Sequence, residues 1–290
     1  HKKQNAPTII IPVDINENTQ KEVSIYDICS EIHVIGLDTT QPISNDVYSG
    51  STWMDCDGEQ FYILDENSMT LHEYDMDGQL VSYANRIGRG PGEYTMACQI
   101  HYNMDLGLIE VLNPLGKIMR YTRDSLDFHS ELSYIGKGPL SSYNYLQLGN
   151  NYIIYSFRED DKIWLLNSEL EEISSFAYQP PTYLKDYLTA RSQLFTQDGQ
   201  PYVYRTYDGA IEHIDVTKGR VTPYIEWDFG GFQAKLIDVP TDNSARDYGS
   251  FMMDYSTHKL SPFIDMKAWA GKIYAMTLFN GGKIHTFIYD

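Results

Sequence analysis

Cysteine is scarce. Cys29, Cys56 and Cys98 are odd in number and far apart, which excludes a disulfide framework and the paired spacings that hold zinc. Cys56 and Cys98 sit in strand-like runs and are expected as small buried hydrophobes. No apolar run approaches the roughly 18 residues that a bilayer-spanning helix needs. No signal peptide stands at the start, which reads HKKQNAPT without a methionine, as a processed chain would. Positive charge is the scarcer sign: Lys plus Arg is 22 and Asp plus Glu is 40, a formal net charge of −18. A field of that sign repels phosphate backbones and argues against nucleic acid as a partner. The acidic residues are scattered, as on a solvated surface; attraction of cationic ligands or Ca²⁺ is the sharper alternative. Catalytic signatures are missing as well. There is no G-x-S-x-G elbow and no H-E-x-x-H, and the eight histidines are dispersed.

Tyrosine, by contrast, is abundant, with 24 against 11 Phe and 4 Trp. Its ring favours half-buried pleated surfaces and its hydroxyl reaches water or a neighbour, so the excess points to many short strands. Residues 51–94 show how such strands are arranged. Four short apolar–polar runs are separated by Asp57-Gly58, Glu66-Asn67-Ser68 and Asp77-Gly78. Asp-Gly between alternating runs marks a tight hairpin, because such turns need positive φ. The unit reads as a four-stranded antiparallel meander.

The rest of the chain repeats it. First turns fall at Asp57-Gly58, Leu106-Gly107, Gly149-Asn150, Asp198-Gly199 and Ala270-Gly271. Third turns fall at Asp77-Gly78, Arg123-Asp124, Asn167-Ser168 and Lys218-Gly219. Self-similarity on the order of 40–50 residues with four strands per unit is the signature of a β-propeller. The chain is therefore expected to be all-β and one domain over 1–290, with an N-terminal segment over 1–38 and blades over 39–290. Residues 8–14 (TIIIPVD) carry Pro12 and read as an edge strand at best. Residues 31–38 (EIHVIGLD) alternate and read as a strand placed to close the ring, which counts five blades; the alternative is that one further repeat is missing. Residues 180–193 and an insertion over 239–262 break the period, each with room for a short helix.

Residues 62–94 carry a family resemblance. Asp65, Asn67, Leu71, Tyr74-Asp75, Asp77-Gly78 and the glycine-rich run from Gly88 to Tyr94 resemble the NHL-repeat pattern. The wording GRGPGEY, with IHVIGLDTT upstream, is similar to the six-bladed, TolB-like propellers that Gram-negative bacteria export, often as lipid-anchored envelope proteins. The resemblance implies six blades, a periplasmic or outer-membrane location, and no general catalytic assignment. Two departures stand out: Thr70 replaces the arginine usual before the apolar residue, and residues 135–143 (IGKGPLSSY) lack the Gly-Glu.

Several residues are candidates for binding. Arg86, Arg89, Glu93 and Tyr94 lie in the glycine-rich loop, whose amides could form an anion nest; the competing reading is a blade-to-blade crossover with Arg89 and Glu93 paired. Arg205 lies in a strand-like run and would reach a ligand if it faces the central channel; His101, one of the dispersed histidines that a ring could bring to one channel, is a further candidate. Asp55-Cys-Asp57-Gly58 and Asp75-Met-Asp77-Gly78 superficially suggest Ca²⁺ loops, but turn chemistry explains both, so no metal and no cofactor is assigned. The expected function is non-catalytic binding of a glycan, a peptide or an envelope protein. The alternative is a metal-dependent lyase or hydrolase with its site at the channel mouth.

Overall fold

A computed structural model describes residues 8–13, 24, 26, 29–44, 52–134, 142, 144–156, 162–178, 194–204, 210–232, 265–269, 271–279 and 283–289. The repeat is present as four-stranded antiparallel blades, and the protein is an all-β propeller. β1 is Ile9–Pro12. The first sheet is β2 (Thr52–Cys56), β3 (Gln60–Asp65), β4 (Thr70–Asp75) and β5 (Leu80–Asn85), paired in that order. The second is β6 (Gln99–Asn103), β7 (Leu108–Asn113), β8 (Lys117–Thr122) and β9 (Phe128–Ser133). The third is β10 (Tyr145–Leu148), β11 (Asn151–Ser156), β12 (Lys162–Leu166) and β13 (Glu172–Ala177). The fourth is β14 (Leu194–Gln197), β15 (Gln200–Tyr204), β16 (Ile211–Asp215) and β17 (Arg220–Asp228); β18 (Asp265–Trp269), β19 (Lys272–Phe279) and β20 (Lys283–Tyr289) form a three-stranded fifth.

The expected turns lie between these strands. Gly58 and Gly78 have φ of 92° and 83°, a region that costs a glycine little and other residues more. The aspartates at these turns bond the backbone: Asp57 Oδ1 accepts from the amides of Glu59 and Gln60, and Asp75 Oδ1 from those of Asp77 and Gln79. Their carboxylates thus do the work of Asx turns.

Strand position within a sheet sets burial. β3 is buried throughout, and β7 at every position but its first, whereas outer strand β5 alternates between half-buried and exposed. Two compact units can be distinguished. One contains residues 22–154 and 166–173, the other 1–21, 155–165 and 174–290. In the first, Tyr62, Leu64 and Leu71 of the first sheet and Ile109, Val111, Met119 and Tyr121 of the second share one buried cluster. Burying each large apolar side chain contributes about 1.5–3 kcal/mol. In the second unit the cluster is aromatic, with Phe195, Tyr202, Tyr204, Trp227 and Phe229 beside Ile211, Ile225 and Ile273.

The N-terminal segment departs from expectation. Residues 31–38 form no strand. Their alternation lacks a sheet edge to pair with: Asp38 donates its amide to the Gly78 carbonyl (2.8 Å), and Val34 stays 93% exposed. Leu37 and Ile43 instead pack on Phe61, Ile63 and Tyr74 of the first sheet. The ring-closing role given to 31–38, and the five-bladed count built on it, are therefore incorrect. The proline-bearing segment does form the expected edge strand, with β1 pairing parallel to β17 in the register Ile9↔Ile225 to Pro12↔Asp228. Cys98 is buried as expected, whereas Cys56, at the end of β2, is exposed. The breaks at 180–193 and 239–262 lie outside the described residues.

Candidate functional site

The glycine-rich loop is built around its own carboxylate. Gly90 donates its amide to Glu93 Oε2 (2.8 Å), and Glu93 donates its amide to the Gly90 carbonyl (3.1 Å). A Cβ on Gly88 would overlap the Glu93 carboxylate, so glycine is required where that side chain folds back. Gly92 has φ of 70°, and a Cβ there would overlap the Phe128 ring. The nest open to an external anion is thus not formed; Glu93 occupies it. The expected Arg89–Glu93 pair is also not formed, because Glu93 turns toward the Gly90 amide. Arg89 is exposed and makes no ion pair among the described residues.

Arg86 and Tyr94 join the first sheet to the second. Tyr94 donates its amide to the Arg86 carbonyl (2.8 Å), and its buried hydroxyl reaches the Met69 carbonyl (3.3 Å). Burial pushes the Tyr94 phenol far up. Arg86 Nη2 donates to the Leu126 carbonyl, and the guanidinium lies 5.6 Å from the centre of the Tyr121 ring, within cation–π range. Tyr121 in turn donates its hydroxyl to the Gly92 carbonyl (2.8 Å). Two of the candidates, Arg86 and Tyr94, therefore come together as a sheet-to-sheet junction.

His101 stands elsewhere, on the first strand of the second sheet. Its Nδ1 is 2.9 Å from Asp55 Oδ2 on β2, and its Nε2 is 2.9 Å from Gln147 Oε1 on β10. Asp55 Oδ2 also accepts the Tyr102 amide (2.8 Å). Beside this, Gln99 and Tyr145 exchange two bonds: Gln99 Nε2 donates to the Tyr145 carbonyl (3.0 Å) and the Tyr145 amide to Gln99 Oε1 (2.8 Å). The first strands of three sheets are thus joined by side chains. Burial pulls the His101 imidazole down, but the Asp55 hydrogen bond and charge outweigh it, and the net shift is upward. Both ring nitrogens are occupied, so His101 cannot serve a ligand as a free base while these contacts stand.

Opposite His101 in the sheet register is Glu110, fully buried and paired with Arg120 Nε at 2.9 Å. Tyr152 donates its hydroxyl to Glu110 Oε1 (2.6 Å), Asn103 Nδ2 donates to the same oxygen (3.2 Å), and Tyr145 donates its hydroxyl to Oε2 (3.0 Å). Arg120 Nη2 also donates to the Tyr152 hydroxyl (2.9 Å). Sequence reading missed this group. Its members span five strands, and no local motif marks them; the available signal was a lone Glu among the apolar residues of Leu108–Asn113.

At the end where the first and third turns lie, Arg123 reaches Glu59 Oε2 (2.7 Å), Gln60 Oε1 (2.7 Å) and Asp57 Oδ2 (3.4 Å). Nearby, Glu73 is buried and accepts the Asp124 amide (2.9 Å); burial pushes its carboxyl up. On the turn between β6 and β7, Met104 is 77% and Leu106 50% exposed. Among the described residues no group of three His, Cys, Asp or Glu side chains is placed to hold a metal. Arg205 lies outside the described residues.

A family model described as "6-bladed beta-propeller" matches residues 2–290. Among solved structures, a protein of Bacteroides fragilis provisionally described as exported is similar at a TM-score of 0.75 and 16% identity, over 98% of this chain and 77% of its own. A streptogramin B lyase is similar at a TM-score of 0.46 and 11% identity, over 82% of this chain and 67% of the lyase. BamB of Moraxella catarrhalis gives a TM-score of 0.42 at 11% identity, over 81% of this chain and 56% of BamB. At 16% identity the likeness to the Bacteroides fragilis protein is one of fold. No curated protein matches the chain.

Proposed function

This chain belongs to the 6-bladed beta-propeller family, and from that premise we propose that it is a non-catalytic binding protein of the bacterial envelope, exported as its NHL- and TolB-like residues suggest. Its partner is a protein segment with apolar anchors and basic flanks. One observation carries this reading: Met104 and Leu106 project from the β6–β7 turn at 77% and 50% exposure. A flexible thioether beside a branched aliphatic side chain suits an adaptable protein contact. The surroundings favour a basic partner, since Asp105 is exposed on the same turn and Glu59 and Asp124 are exposed at the same end. The chain as a whole carries −18, which steers cations toward it. Beneath this surface, the side-chain bonds of His101, Gln99 and Glu110 hold the supporting strands, and preorganisation lowers the cost of binding.

The test is crosslinking of the whole chain in envelope fractions, followed by titration of the recovered partner, purified, against wild-type protein and the Met104→Ser, Leu106→Ser double variant. The double variant is expected to bind at least roughly tenfold more weakly, a loss of about 1.4 kcal/mol. Equal affinity of the two proteins defeats the proposal.

A further inference from the structure

His101 faces two acceptors, and this is an unusual demand on an imidazole. Gln147 Nε2 donates to the Gly149 carbonyl (3.1 Å), which orients the side-chain amide so that Oε1 points at the ring. On the other side stands Asp55 Oδ2, itself fixed by the Tyr102 amide. A neutral imidazole has one N–H and one lone pair, so it satisfies one acceptor and repels the other; only the imidazolium donates to both.

We propose that His101 is a proton-operated clasp: doubly protonated, it holds β6 to β2 through Asp55 and to β10 through Gln147, and on losing one proton it lets go of β10. The order of release follows from charge. A single remaining proton stays on Nδ1, because a carboxylate accepts more strongly than an amide oxygen. The Nε2 lone pair then faces Gln147 Oε1. Flipping the amide would relieve that repulsion but would turn Oε1 onto the Gly149 carbonyl, so the side chain swings away instead. The Gln99–Tyr145 exchange between β6 and β10 stays in place.

The surrounding groups set the pH range. Asp55 on β2 faces Nδ1 directly, and Glu110 on β7 adds a second negative charge, partly countered by Arg120 on β8. Tyr145 on β10 presents its ring at 83° to the imidazole, 6.1 Å between centres. Desolvation opposes the charged ring, and Asp55, Gln147 and Glu110 together outweigh it. Because the folded-state value lies above the unfolded one, the clasp's contribution is complete below the ordinary His value of about 6.5 and is lost as pH rises through the folded value. This device does not depend on the identity of any ligand.

The experiment is an NMR titration of the intact chain from about pH 5 to about pH 9, following the His101 ring nitrogens and the Gln147 side-chain amide. Both are expected to report one shared midpoint above the ordinary His value, with Nδ1 still protonated on the alkaline side. Gln147→Leu should lower the midpoint and leave Nδ1 protonated; Asp55→Asn should lower it further. The wild-type titration decides the matter even if Asp55→Asn fails to fold. A midpoint at or below the ordinary value overturns the proposal, as does a Gln147 amide that is unchanged across the transition.

Discussion

In the second sheet Glu110 stands opposite His101; in the fourth, Tyr202 stands opposite Phe195. Both positions lie on the second strand of a blade and both are buried. The second sheet fills its position with a carboxylate that Arg120, Asn103, Tyr145 and Tyr152 satisfy. The fourth fills it with rings: Tyr202 stacks on Phe195 at 5.5 Å and tilts against Tyr224 at 4.9 Å. The first arrangement is directional and depends on every partner being present, while the second is tolerant. A buried charge contributes little net stability while fully paired but is costly once a partner is lost, whereas ring contacts fail in proportion to the surface removed.

The largest expected effect breaks the charged arrangement. Arg120→Met leaves Glu110 buried with only neutral donors and should cost about 3–5 kcal/mol in urea unfolding. Adding Glu110→Gln should recover part of that loss, since the two residues share one network. If Arg120→Met alone unfolds like wild type, the network is not the weak point of its sheet. A smaller effect is expected from Tyr145→Phe, which removes the donor on Glu110 Oε2 and should cost about 1–3 kcal/mol by leaving that oxygen unsatisfied. The smallest is expected from Tyr202→Phe in the fourth sheet. Burial pushes its phenol up to about 12, with Tyr224 contributing, and the change gives up one hydroxyl contact while keeping the ring, at about 0.5–1.5 kcal/mol. A loss at Tyr202 larger than that at Tyr145 would reverse the contrast between the sheets.

What could be read from the sequence divides along the same line. Asp57-Gly58 and Asp77-Gly78 announce their turns because the information is local: a glycine at positive φ and an aspartate bonding amides two to four residues on. The loop from Gly88 to Tyr94 is legible as a crossover for the same reason, though its nest looks vacant until the Glu93 side chain is placed. Residues 31–38 mislead because alternation records two faces and says nothing of whether a sheet edge is free to pair. His101 lies 46 residues from Asp55 on one side and 46 from Gln147 on the other; their meeting is a product of blade spacing, and no single stretch contains it. Glu110 and Arg120 likewise look like ordinary surface charges until the strand register turns them inward.

Among the described residues, β1 gives the fourth sheet a property that the other sheets lack. A parallel strand from the chain's own beginning lies along β17, and its last residue, Pro12, has no amide hydrogen to offer outward. The rim of that sheet is therefore already occupied by a self-supplied guard whose final position cannot template another chain. Any strand seeking to add there by fibril-like stacking would first have to evict Ile9–Pro12, so aggregation through this rim is suppressed for as long as that short segment stays docked.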